Sequence, residues 1–142
     1  MKDFTGKTGR TIILELQRGE KLLESVREYM AQRGIKNAVL SSAVGSLLRL
    51  VVHKPTSMDA AAVDEFETIE DAMEVCSLIG SVIGGEPHFH IVASGVKGLY
   101  SGHVEPDTEV LYLLELTFTE ITGLNLERRL TPENVKKIFS VP

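Results

Sequence analysis

The chain has 142 residues, of which 43% are hydrophobic and 25% charged, and its 15 basic against 20 acidic side chains give a formal net charge of −5. This is the material of a single globular domain spanning residues 1–142 with one core, and it excludes a disordered or fibrous chain. Acidic balance also argues against autonomous nucleic-acid binding, which draws on a basic face that releases condensed counterions.

The opening MKDFTGKTGR carries no hydrophobic signal segment, so the expected setting is cytoplasmic. Thr11 to Leu16 alternates apolar and polar positions and predicts a first strand, which Gly19 breaks. From Glu20 to Arg33, Leu22, Leu23, Val26, Tyr29 and Met30 recur at helical spacing, and Gly34 supplies a left-handed stop. Ile35 to Val44 predicts a buried strand, with Gly45-Ser46 as a break before a second run from Leu47 to His53. Serines and Arg49 interrupt the Ala38–Val52 stretch, which also falls short of the ~20 apolar residues of a membrane helix.

Pro55 to Asp59 reads as a turn, and the second half of Ala60–Asp71 as a short strand. Met73 to Ile83 predicts a strand ending at Gly84-Gly85. Its Cys76, the only cysteine, excludes an internal disulfide and a multi-cysteine zinc site, and is expected to be a buried, inert thiol. His88–Ser94 and Leu99–Glu105 form two strands around Gly95-Val96-Lys97-Gly98, and Glu109–Ile121 a long final strand. Thr131 and Pro132 predict the start of a short C-terminal helix, about residues 131–139, with Ile138 and Phe139 facing inward. Arg128-Arg129 and Lys136-Lys137 are the nearest thing to a basic cluster and suit a solvated surface. One helix among many strands predicts an α+β fold with an antiparallel-rich sheet; neither glycine pair opens a helix carrying Lys-Ser/Thr, so neither is a phosphate loop.

The chemistry concentrates in Glu86-Pro87-His88-Phe89-His90 and His103. Strand side chains alternate, so His88 and His90 share a face. A regular hairpin closed by the Gly95–Gly98 loop pairs Ser94 with Leu99 and sets His90 opposite His103, with Cβ atoms within ~5.5 Å. All three imidazoles then leave one face with Glu105, while Phe89, Ile91, Ala93, Tyr100 and Val104 occupy the other; a one-residue slip would destroy that segregation. Three neutral imidazoles suit a borderline divalent cation, zinc first, with nickel, cobalt or iron behind it, and leave a coordination position open. The metal-free alternative is a polar pocket or subunit interface. Glu86, Glu105 and Glu115 are the candidate catalytic carboxylates. Glu115 interrupts an apolar strand and reads either as an ion-pair partner or as a group orienting a metal-bound histidine. His53, on another strand, reads as structural.

Taken in order, Gly19-Glu20 before the helix, the Gly34-Ile35 exit, Ser42-Ala43-Val44-Gly45-Ser46, Gly85-Glu86-Pro87-His88-Phe89-His90, Ser101-Gly102-His103 and Glu115 resemble the PPC family. This is the plant-and-prokaryote-conserved domain, often labelled PD1-like DNA-binding. The resemblance covers about residues 8–130. It implies an antiparallel-rich mixed sheet flanked by helices, a homotrimer, and a DNA-binding or regulatory role. His88, His90 and His103 are the positions that match the family's histidine site, and Ser101-Gly102-His103 stands where the family usually has Gly-Gly-His. Plant members add an AT-hook that contacts DNA; this sequence has none. The functions left in competition are a trimeric regulatory scaffold that binds metal, a metal-dependent hydrolase or lyase with Glu86 or Glu105 as base, and a DNA-binding trimer.

Overall fold

A computed structural model describes residues 1–142. In chain order it runs β1 (Lys7–Gln17), α1 (Leu22–Gln32), β2 (Ala38–Pro55), β3 (Asp64–Ile83), β4 (Glu86–Gly95), β5 (Leu99–Val104), β6 (Glu109–Thr122), β7 (Leu126–Leu130) and β8 (Lys136–Ser140). Six strands form one sheet in the order β1-β6-β2-β3-β4-β5, and β7 pairs with β8 in a separate hairpin. Every pairing is antiparallel, so the sheet is not mixed, and a single helix rather than several packs on it. The end strand β5 also pairs back to β2, through Val52 with Val104 and His53 with His103. The β2-β3-β4-β5 part of the sheet is therefore closed on itself.

The apolar stripe of α1 goes where its spacing sends it: Leu22, Leu23, Val26 and Met30 are buried in one core with Leu16, Leu50, Met73, Phe89, Leu114 and Phe118. Gly34 ends the helix at φ +65°, as expected of a left-handed stop. The predicted break inside β2 is absent, and the two runs expected before Asp71 and from Met73 form one continuous strand, β3. Gly45 (φ +152°) does not end β2 but bends it, coming so close to β6 that a Cβ there would lie 2.2 Å from the Leu113 carbonyl oxygen. At Gly80 (φ +147°) β3 approaches β4 in the same way, with 2.0 Å to the His88 carbonyl oxygen. Glycine lets long strands coil around the core instead of stopping.

The expected C-terminal helix is instead the β7–β8 hairpin, and β6 is not the last strand. Thr131 accepts the Asn134 N–H on its carbonyl and donates both its backbone N–H (3.0 Å) and its hydroxyl (2.9 Å) to the Val135 carbonyl, while Asn134 sits at φ +59°. Thr-Pro serves a tight turn as readily as a helix start. The β-branched and aromatic residues Val135, Ile138 and Phe139 then favour an extended chain.

Candidate metal centre

The β4–β5 hairpin has the register that its loop length dictates: Ser94 pairs with Leu99, Ala93 with Tyr100, and His90 with His103. Phe89, Ile91, Ala93 and Val104 are buried beneath it, which fixes the opposite, histidine-bearing face toward a cleft. His88, His90 and His103 meet there with ring centroids 5.3, 4.6 and 5.2 Å apart for the 88–90, 88–103 and 90–103 pairs. One ligating nitrogen of each lies within 4.8 Å of the others. His88 Nε2 and His90 Nε2 are 3.3 Å apart. At that separation one neutral ring can donate to the other; it is also the ~3.3–3.4 Å edge of a tetrahedron with Zn–N bonds of ~2.0–2.1 Å. The donor set and its spacing fit a divalent cation.

His53 joins this group. Its strand, β2, meets β5 at His103, and the two rings stack with centroids 4.2 Å apart. Nδ1 of His53 is 2.6 Å from Glu105 Oε1, and the same oxygen is 3.9 Å from His103 Nε2. His53, His103 and Glu105 thus form a second donor cluster that shares His103 with the first. Strand pairing across 50 residues of chain, which no local pattern announces, is what brings His53 in.

Two of the remaining expectations are corrected, and a third residue, Glu86, is committed elsewhere. Glu86 lines the cleft, but Arg27 holds both of its oxygens, at 2.9 and 3.1 Å, and keeps its pKa below the usual carboxylate range. It is a paired anion, not a free base. Glu115 lies exposed on the outer face of the sheet, beside Glu15 of β1 and Val44 of β2, away from every histidine. It orients none of them. Cys76 is exposed rather than buried, because it sits in a bulge between Val75 and Ser77 that turns it outward.

Burial, reinforced by the positive charges of Arg128 and the neighbouring histidines, pulls the His88 pKa down to about 4. Burial and the adjacent rings of His53 and His88 pull that of His103 down to about 3. Both rings are therefore neutral at pH 7, the form that ligates metal. They open onto a cleft of about 710 Å³, walled also by Leu23, Lys54, Val104, Val135 and Lys136.

The Plants and Prokaryotes Conserved (PCC) domain matches residues 4–122. The chain belongs to this family. A plant- and prokaryote-conserved protein of Pyrococcus horikoshii shares the fold with a TM-score of 0.84 at 24% identity, over 100% of this chain and 99% of that one. A metal-containing protein of Archaeoglobus fulgidus gives 0.81 at 23% identity over 100% of both chains. A Salmonella enterica protein gives 0.80 at 20% identity over 96% of this chain and 95% of that one. Comparison with curated proteins finds no match. The histidine hairpin and its closing partner strand thus lie within the domain shared by the family, whereas the β7–β8 hairpin follows the matched segment.

Proposed function

We propose that this PCC-domain chain is a homotrimeric, cytoplasmic regulatory scaffold that holds a divalent metal, zinc first, on His88, His90 and His103. The observation that carries the metal reading is the convergence of three imidazoles, two of them kept neutral by burial, with ligating nitrogens within 4.8 Å of one another and the His88–His90 pair at 3.3 Å. The description of the Archaeoglobus structure as a metal-containing protein is in keeping with it. Assembly is supported by the outer face of the sheet, where Ile13, Val39, Val44 and Leu113 stand exposed on β1, β2 and β6. DNA is the weaker partner for this chain: Arg10, Lys21, Arg27, Arg49, Lys54, Arg129 and Lys137 are already paired with carboxylates.

A second reading, a metal-dependent hydrolase or lyase, is favoured by one observation: Glu105 is oriented by His53 beside the metal ligands and faces a cleft with room for a small molecule. A bound cation would supply Lewis acidity and lower the pKa of water. Glu105 would be the carboxylate placed to accept the proton. Elemental analysis of the purified protein, coupled to light scattering, tests the proposal. The expected result is one divalent metal per chain in a particle of three chains. A metal-free protein after zinc loading, or a monomer, would refute the corresponding half.

A further inference from the structure

We infer that the cleft beside the histidine cluster binds the oxyanion of a small organic molecule, a carboxylate or a phosphate, between the metal centre and the Lys136 ammonium; this rests on the metal reading above.

The wall that faces the histidines is built by the β7–β8 hairpin, which contributes Leu130, Asn134, Val135 and Lys136 to the cleft. That hairpin is docked, not loose. The Ala62 N–H donates to the Glu133 carbonyl (2.9 Å), and Arg128 Nη2 donates to Ser81 Oγ (3.3 Å). Charge bookkeeping within the cleft then decides what it favours. Arg27 is neutralised by Glu86 and Lys54 faces Glu67 at 3.6 Å. Lys136 has no carboxylate within ion-pairing distance, unlike its neighbour Lys137, which lies 3.4 Å from Glu133. Arg128, half-buried beside His88, is likewise without a carboxylate, and its Nε is buried with no acceptor. Against Lys136, and Arg128 just outside the lining, stand Glu105, itself bonded to His53, Asp64 of the same lining, and Glu86, whose carboxylate also feels both cations. Arg27, Lys54 and Lys136 balance Asp64, Glu86 and Glu105 in the lining, so a divalent ion on the neutral histidines would leave the cleft net positive, although the chain as a whole carries −5. A cleft whose net charge is positive concentrates anions. About 710 Å³ exceeds what a bare ion needs and lies within the range of small-molecule sites.

The test uses the full, zinc-loaded chain, with inorganic phosphate and succinate as separate probes in low-salt calorimetry, and metal content measured on every sample. Binding of at least one probe is expected, with the two arms telling phosphate from carboxylate. Lys136→Ala should weaken it roughly tenfold, the loss of one charge-assisted contact, with zinc content unchanged. Lys137→Ala removes the same charge one residue along and should change affinity less than about twofold, so a merely global charge effect would show as equal losses in both. Lys136 is exposed, so its truncation leaves the fold intact. Equal losses, or one zinc per chain with no probe bound, would overturn this inference alone. No zinc uptake would overturn the metal reading, and this inference with it.

Discussion

Replacing His90 with alanine isolates the metal centre from the fold. His90 is exposed, so the truncation itself should change the stability of the metal-free protein by no more than about 0.5 kcal/mol. The effect on the loaded protein is much larger. A ligand present at 100 times its Kd stabilises the folded state by ~2.7 kcal/mol. With an unfolding entropy of ~2.1 cal/mol/K per residue, a 142-residue domain has ~0.3 kcal/mol/K, so the wild-type Tm should rise by about 9 °C on zinc addition. Loss of an outer-shell partner of a metal lowers affinity ~10–100-fold, and loss of a ligand itself should cost at least the upper figure. The same zinc concentration then stands at or below Kd in His90→Ala, and the residual stabilisation is at most ~0.4 kcal/mol, about 1 °C. Differential scanning calorimetry with and without zinc reads both numbers. A zinc-dependent rise in His90→Ala equal to that of wild type would refute the assignment of the site.

Glu105→Gln keeps the shape of the side chain but removes the carboxylate that holds His53 stacked on the ligand His103 and lies 3.9 Å from His103 itself, and should weaken zinc by ~10–100-fold in chelator competition; unchanged affinity would put Glu105 outside the centre. Gly80→Ala forces a Cβ to within 2.0 Å of the His88 carbonyl, so a loss of at least 3 kcal/mol in denaturant unfolding is expected. Gly85→Ala, also at positive φ but with nothing within 4 Å, should cost only ~1–2 kcal/mol, and equal losses would show that the close approach does not matter. The lowered pKa values of His88 and His103 mean that the unfolded chain takes up protons near pH 6.5 while the folded chain does so only near 4 and 3. Stability of the metal-free protein should therefore fall as pH drops from about 6.5 toward 4, and level off below 3 for these two groups, with each differential proton contributing at most ~1.4 kcal/mol per pH unit. Denaturant midpoints at pH 7 and pH 5 check this; identical midpoints would contradict it.

The histidine triangle was legible in the sequence because a strand has a period of two and a short glycine-bounded loop fixes the register of its hairpin. Those two local facts place His88, His90 and His103 together without knowledge of any other strand. His53 was not legible, because its place depends on β5 pairing simultaneously with β4 and β2, a closure set by the coiling of the whole sheet. Glu115 stayed open between two roles for a different reason. Strand β6 carries large apolar residues on both faces, and alternation alone does not say that Leu114, Leu116 and Phe118, rather than Leu113, face the core. At Cys76 a bulge breaks the alternation itself. The C-terminal hairpin escaped because Thr-Pro begins helices and turns alike, and the choice was made by its docking on Ala62 and Ser81.

The division of labour between the two faces of the β4–β5 hairpin also says what kind of metal site this can be. Small zinc modules are unfolded without their ion, since the ligands themselves hold the chain together. Here the reverse face is held by Phe89, Ile91, Ala93 and Val104 in a core that extends to β6 and α1, and the hairpin is further tied to β2 and β3 by backbone pairing. The imidazoles are thus brought together by apolar burial and strand register. Bringing two of them to neutrality by burial opposes folding at acid pH, a cost the core absorbs. A cation entering such a preassembled pocket adds its binding free energy to an already folded chain, so its removal should leave secondary structure in place and lower Tm only by mass action.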